Sequence, residues 1–504
     1  MSVEIDNPQV AACNPHSADA FVSSLTPHLD AAQPLRRTGR VAQVAGLVIE
    51  STGPAAVVGE VCIIYPAGSE GHGARGEGRG TRKNQEPAAL EPRTSGLEPS
   101  APSGLVPRAS TLSGPVRAEV VGFRGPRMLL MPLDDIDGIG PGCRVVATGQ
   151  PLAVRVGPEL LGRVLDGLGN PVDGRGPLGC AESRPVVASA PPPMSRPRIH
   201  EPLATGVRAI DGFLTLGRGQ RVGIFSGSGV GKSVLIGQIA RSSTADVTVV
   251  GLVGERGREV REFLDKNLGE EGLRRSVVVA VTSDDLALRR IKGAFTATTI
   301  AEYFRERGLN VLLFIDSITR FAYAQRELGL SIGEPPTTRG YTPSVFAALP
   351  RLLERAGNAA RGSITGIYNV LVEGDDMDEP VADAARSILD GHIVLSRELT
   401  LRGHYPAIDI LQSLSRLMPD VTEPGHLRAA SAVRRIYSVY RQSEDLIRLG
   451  AYVRGTSAEL DLALSMIGDI ENYLRQPIGE RVAFTDSIER LIHTLGVRAA
   501  KGNA

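Results

Sequence analysis

The sequence predicts an α/β protein in three parts: a small β-barrel, a mostly parallel sheet covered by helices, and a helical C-terminal region. Three observations carry that prediction. From Gly39 to about residue 190, short β-rich runs are separated by glycines and prolines. From 191 to about 432, apolar strand candidates alternate with helical patterns. After 433 only helical spacing remains, as in Leu460, Leu464, Ile467 and Ile470. Many short strands at regular spacing suit a barrel, and β/α alternation suits a parallel sheet buried on both faces.

Taken in order, residues 1–38 begin polar and irregular, and then place Phe21, Val22, Leu25 and Leu29 at helical spacing. That stripe predicts a short amphipathic helix, for a partner or for its own chain. The barrel region, 39–190, holds the strand candidates RVAQVAGLVIES, AAVVGEVCII, RAEVVGF, RMLLMPL, CRVVATG and LAVRVG. It is interrupted at 70–114 by a stretch dense in Gly, Pro, Ser and charge, with almost no aliphatic residues. Such a stretch cannot bury enough surface to fold alone and predicts a disordered insertion between two strands. The run at 162–178 reads as a turn-rich connector and 190–202 as a proline-rich linker. In the 191–432 region the strand candidates are VGIF, VTVVGLVG, SVVVAVT, NVLLFID, ITGIYNVL and HIVL.

Composition narrows the function. The 504 residues carry 56 Lys+Arg and 56 Asp+Glu, which argues against bulk electrostatic binding of nucleic acid. Cys13, Cys62, Cys143 and Cys180 form neither a metal-binding spacing nor a disulfide framework, as expected of a reducing compartment. The N-terminus lacks a secretory pattern, and no apolar run approaches the roughly 18 residues of a membrane span. The expectation is a cytoplasmic protein, with membrane contact only peripheral.

The stretch Arg221–Ser233, RVGIFSGSGVGKS, organises the chain. An apolar strand breaks into the glycine-rich turn Gly227-Ser228-Gly229-Val230-Gly231, followed by Lys232, Ser233 and a helical pattern. In that context the glycines let backbone N–H groups turn around a polyphosphate, and the helix N-terminus adds positive charge. Lys232 would reach the β/γ-phosphates and the Ser233 hydroxyl would ligate Mg²⁺. Ser226 stands where such loops begin with glycine, a small side chain that the position tolerates.

Two carboxylates complete the pattern. Asp316 ends the apolar run NVLLFID, where an acidic residue holds Mg²⁺, although an Asp before Ser-Ile-Thr could equally cap a helix. Glu255 follows VTVVGLVG and could orient and polarise the attacking water. Glu259 and Glu262 are nearby, and their helical spacing reads as a solvated face.

With these residues in place, the chain from about Gly39 to Leu495 resembles the ATPases of type III protein export, relatives of the catalytic subunit of rotary F-type ATPases. The matching runs are SGSGVGKS (226–233), GERGREV (254–260), FIDSITRFAYAQRELGL (314–330), GEPPTTRGYTPSVFAALPRLLERAG (333–357), VLVEGDDMDEPVADAARSILDGHIVLSREL (370–399) and GHYPAIDILQSLSR (403–416). LLMPLDDIDGI (129–139) and the GEPPTTRGYTPSVF run give it a flagellar rather than injectisome flavour. The insertion at 70–114 is outside the family pattern.

The resemblance implies a RecA-like nucleotide-binding domain that hydrolyses ATP with Mg²⁺ in a homohexamer. It assigns Lys232, Ser233 and Asp316 to phosphate and metal, Glu255 to water activation, and Arg256 to a neighbouring phosphate contact. Arg416 matches the arginine finger lent to the adjacent subunit, with Arg397 as the competing candidate. Tyr405 and Phe484 match the aromatic pair that holds adenine. The implied partners are stalk, stator and regulator proteins, the export gate, chaperones and exported substrates. A rotary ATP synthase subunit would need a non-identical partner subunit. An RNA-translocating hexamer would need stacking aromatics, and between Gly39 and Ala190 only Tyr65 and Phe123 occur.

Overall fold

The computed structural model describes residues 38–67, 114–372, 374 and 376–499. The amphipathic stripe within 1–37 and nearly all of the 70–114 insertion lie outside them.

Six antiparallel strands close a barrel in the order Thr38–Ala45, Val48–Thr52, Arg127–Pro132, Val116–Arg124, Glu60–Tyr65, Arg144–Pro151, with the last pairing back on the first. Period-two alternation lets several of the strands serve two cores. Met128 and Leu130 face the barrel interior with Ile49, Cys62 and Ile64. Leu129 and Met131 join the core of the next domain. The residues flanking the insertion are paired, Ile64 opposite Val116. The 70–114 segment therefore leaves and re-enters the barrel at one end of a single antiparallel pair.

LAVRVG is not a barrel strand. Ala153–Val156 pairs instead with Glu182–Pro185 in a separate two-stranded sheet. The 162–178 connector also contributes a strand: Val164–Leu165 lies parallel to Ser276–Thr282 at the edge of the central sheet. The linker at 190–202 is tied down, because Arg196 donates to the carbonyls of Pro191, Glu354 and Ala356.

The central sheet has nine strands. Eight form a path, Ile408–Ser415, Gly391–Leu395, Arg221–Ser226, Ser363–Leu371, Asn310–Asp316, Val247–Glu255, Ser276–Thr282, Val164–Leu165, and the ninth, Gly357–Asn358, pairs antiparallel with Ser363–Leu371 off that path. All pairings on this path are parallel except the first, Ile408–Ser415 against Gly391–Leu395. That antiparallel strand is absent from the strands expected between 191 and 432. Its mixed burial, with Asp409, Gln412 and Leu414 facing outward, hides it among polar residues. The central strands read as unbroken apolar runs because both faces are covered. Val222 and Ile224 enter one core and Phe225 the other; Leu312 and Phe314 separate in the same way from Leu313 and Ile315.

The C-terminal helices are Pro424–Arg448, Ala458–Leu474 and Phe484–Ala499. The boundary expected at 432/433 falls inside the first of them, a continuous 25-residue helix. Among the described residues no helix is long and apolar enough to cross a membrane.

The barrel is fastened to the nucleotide domain by Lys292, whose ammonium is 2.6 Å from the Glu119 carboxylate on a barrel strand. Both are buried, and burial raises the pKa of Glu119 against the pull of Lys292. Lys292→Met is expected to destabilise the protein by about 3–5 kcal/mol, because it strands a buried carboxylate. The double change Lys292→Met/Glu119→Met should recover most of that loss, as read by denaturant unfolding.

Candidate active site

The parallel strands bring their C-terminal ends to one edge, which is where ligands bind in open α/β sheets. The strand Arg221–Ser226 ends there and passes into the loop Gly227–Gly231. Gly229 and Gly231 have φ of 80° and 89°, a left-handed conformation that L side chains rarely adopt. The helix Lys232–Ser242 follows directly, with no side chain capping its first turn. Its first-turn N–H groups are left without side-chain partners, as at the helix N-termini that bind anions.

Lys232 reaches across the sheet edge to two carboxylates. Its Nζ lies 2.7 Å from Asp316 Oδ1 and 3.7 Å from Glu255 Oε1. Burial works against the charged ammonium, but Asp316 and Glu255 outweigh it and raise its pKa. The cost appears on Glu255, which is only 9% exposed. Burial and the Asp316 charge push its carboxyl up to about 8 against the pull of Lys232. Glu259 is hydrogen-bonded to Glu255 and is held below the usual carboxylate range by that bond. Glu259 is thus both exposed and in contact with the site, whereas Glu262 is a surface residue paired with Lys266.

Two further residues belong to this cluster. Asn369, near the end of Ser363–Leu371, donates to Asp316 Oδ1 at 2.7 Å. A buried Asn in the apolar run ITGIYNVL was the sequence signal for it, because an amide there needs a partner. Arg320, one turn into the helix after Asp316, packs its side chain over Gly254, where a Cβ would meet it at 3.0 Å. It acts electrostatically on Glu259, and its Nε is buried without a hydrogen-bond partner. Arg256 is exposed and opens the short helix Gly257–Glu262 beside the same carboxylates.

The residues suit a magnesium nucleotide. Among the described residues no cluster of three or more His, Cys, Asp or Glu can hold a metal ion by itself. Ser233 lies in the first turn of the helix after the loop and Asp316 ends a nearby strand, oxygen donors of the kind that magnesium combines with phosphates and water. Ser226 Oγ, Glu255 Oε1 and Asn369 Oδ1 are buried without hydrogen-bond partners around this edge.

Beside the loop lies a cavity of about 150 Å³ lined by Val230, Gly231, Leu235, Tyr405 and Ile478 among others. The Tyr405 ring packs over Gly231, at 3.8 Å from a Cβ built there. Tyr405 is half exposed, and its carbonyl accepts from Gln476 N at 2.9 Å. Phe484 does not line this cavity, which corrects its expected pairing with Tyr405. It begins the last helix and meets the His426 ring edge-on, at 6.4 Å between centroids. The side facing Tyr405 is held by the run Gln476-Pro477-Ile478, which has no aromatic to betray it.

Arg416 is not at this edge. Its N–H donates to Asp390 O, and Asp390 N donates to Arg221 O, so it sits beside the start of Arg221–Ser226. Five residue steps of about 3.3 Å put it about 16 Å from the loop end of that strand. Its side chain is exposed. Arg397, by contrast, lies beside its own phosphate loop, in a cleft shared with Ser226, Gly227 and Gln412.

Barrel, phosphate loop on a parallel sheet, and helical C-terminal region define a nucleotide-binding subunit of the ATP synthase kind. Family models match in that order: the ATP synthase alpha/beta family β-barrel domain at residues 110–149, its nucleotide-binding domain at 206–415, and the T3SS EscN ATPase C-terminal domain at 422–493. The chain belongs to the ATP synthase alpha/beta family, within its flagellar and type III export ATPase branch. It is 49% identical over 464 residues to the flagellum-specific ATP synthase of Bacillus subtilis, covering 92% of this chain and 96% of that one. It is 53% identical over 375 residues to the type 3 secretion system ATPase of Xanthomonas euvesicatoria, covering 74% and 85%. The assembled ATPase EscN of the enteropathogenic E. coli type III secretion system superposes with a TM-score of 0.77 at 40% identity, covering 91% and 100%.

Lys232 cannot satisfy Asp316, Glu255 and Glu259 at once, so the site stores repulsion. Glu255→Gln is expected to stabilise the nucleotide-free protein by about 1–2 kcal/mol, the range seen when a strained site is relieved. Thermal unfolding checks it, and Glu262→Gln should give no gain.

Proposed function

We propose that this chain hydrolyses ATP with Mg²⁺ in a homohexameric ring and that the reaction energises flagellar protein export, aiding substrate unfolding and release from chaperones. The observation that carries the reading is the division of the site: Lys232, Glu255 and Asp316 converge at one end of Arg221–Ser226 while Arg416 projects from the other. A ring closed by one repeated head-to-tail interface brings the two halves together. Arg416 is then the finger given to the neighbour, and Arg397, beside its own loop, serves its own subunit.

The roles follow from the chemistry of each group. Gly227–Gly231 cradles the phosphates with backbone N–H groups, and the adenine lies between Tyr405 and Ile478. Lys232 leaves Asp316 to neutralise the β/γ-phosphates, which frees Asp316 to face the metal with Ser233. Ser233 and Asp316 would hold magnesium, which would supply positive charge beside the phosphoryl oxygens. Asn369 holds the Asp316 carboxylate in place. Glu255 orients the attacking water and takes its proton, while Arg256 and Arg320 flank the γ-phosphate position. Catalysis is positioning and charge neutralisation.

Flagellum-specific relatives from Bacillus subtilis and Treponema pallidum, 49% and 48% identical over 92% and 93% of the chain, support the flagellar assignment. An injectisome ATPase is the second reading. EscN has been solved with its central stalk EscO, which supports a stalk partner here. Stator and regulator proteins, the export gate, chaperones and substrates complete the proposed partners, at the cytoplasmic face of the inner membrane with peripheral attachment only. Nucleic acid is not among them.

Glu255→Gln should bind Mg-ATP with near-normal affinity and lose on the order of 10³-fold in turnover. Arg416→Ala and Lys232→Ala should each be inactive, and mixed rings of the two should regain activity. A mixture of two Lys232 variants should regain none. Mixed rings no more active than that control would overturn the shared site.

A further inference from the structure

The base of the strand that carries the phosphate loop is also the anchor of Arg416. Gln220, fully buried, precedes that strand. Its Nε2 donates to Asp390 O and to Ser415 Oγ, each at 3.1 Å. Its Oε1 accepts from Gly217 N at 2.8 Å. Ser415 Oγ passes the chain on to Thr215 O at 2.9 Å. Asp390 O receives a second bond, from Arg416 N at 3.0 Å. The Asp390 carboxylate accepts from Arg221 N at 3.0 Å and from its Nε and Nη2 at 3.2 and 3.3 Å. Arg221 Nη1 also meets Glu354 at 2.5 Å.

We propose that Gln220 and Asp390 are positioning residues for Arg416, clasping it to the strand whose other end is the phosphate loop. The inference rests on reading Arg416 as the finger for the neighbouring subunit. A buried glutamine is costlier than a leucine of similar size unless its amide is used, and here both ends of the amide are used. Leading to the guanidinium, Ser415 is held from both sides, by Gln220 and Thr215, and the Arg416 N–H is held by Asp390 O. The guanidinium itself stays exposed and free to cross an interface.

The strand above the clasp is itself fixed. Arg221–Ser226 is paired in parallel on both flanks, to Ser363–Leu371 and to Gly391–Leu395. It cannot slide without breaking both ladders, so the clasp ties Arg416 to a rigid base.

The test uses the full chain and mixed rings. Gln220→Leu should lower kcat about 10–100-fold, as expected of a misplaced catalytic group, with the KM for ATP and ring formation unchanged. Ser415→Ala, a smaller change, should move kcat in the same direction with the fold intact by thermal unfolding. Mixed with Lys232→Ala, Gln220→Leu should regain activity, since an intact Lys232 then meets a correctly held Arg416. Mixed with Arg416→Ala it should regain none, because both lesions lie on the finger side. Regain with Arg416→Ala but not with Lys232→Ala would place Gln220 on its own phosphate loop and overturn the proposal while leaving the finger reading intact. Wild-type kcat in both Gln220→Leu and Ser415→Ala would likewise overturn it alone. Failure of the Arg416→Ala and Lys232→Ala mixture to regain activity would overturn the finger reading, and this proposal with it.

Discussion

One ammonium group among three carboxylates governs the nucleotide site. Lys232 stands at the start of a helix, and Asp316 and Glu255 end two neighbouring strands of the same sheet. Parallel pairing is what makes them meet, since it delivers every strand's C-terminal end to the same edge. Asn369 comes from the strand between the loop strand and the Asp316 strand, and the register Ile224 opposite Asn369 sets its height. Burial and the Asp316 charge raise the Glu255 carboxyl, which leaves the buried lysine paired with Asp316. In the proposed reaction a polyphosphate with its divalent cation would draw the lysine away from Asp316.

The same sheet carries Arg416, the proposed second half of the site, at its opposite end. Reversal of the outermost strand, Ile408–Ser415, returns the chain to the base of the sheet and leaves Arg416 there. Had that strand been parallel, its end would lie beside its own phosphate loop, as Arg397 does at the end of Gly391–Leu395. A single antiparallel strand thus separates two arginines that look interchangeable along the sequence.

Much of this was legible in the residues. The phosphate loop declares itself by glycines at fixed offsets before Lys-Ser, and the buried parallel strands by unbroken apolar runs. The strand with Arg416 was not visible, because an edge strand shows one wet face and its outward Gln412 and Leu414 blur the alternation. LAVRVG had the right period for the barrel but the wrong partner, a matter that register alone decides. Phe484 was placed by a short match and the structure turned it toward His426. Ile478 does the facing work against Tyr405, and an aliphatic residue carries no signal of that role. Arg320 was invisible for a different reason: its place depends on Gly254 from another strand leaving room for it.

The closed barrel has an effect on how copies of the chain can meet. Among the described residues every strand in it has two neighbours, so no strand presents a whole open side for another chain to extend. Another copy of the barrel would meet it through side chains and loops rather than by extending a sheet, a contact that can part without breaking a backbone ladder.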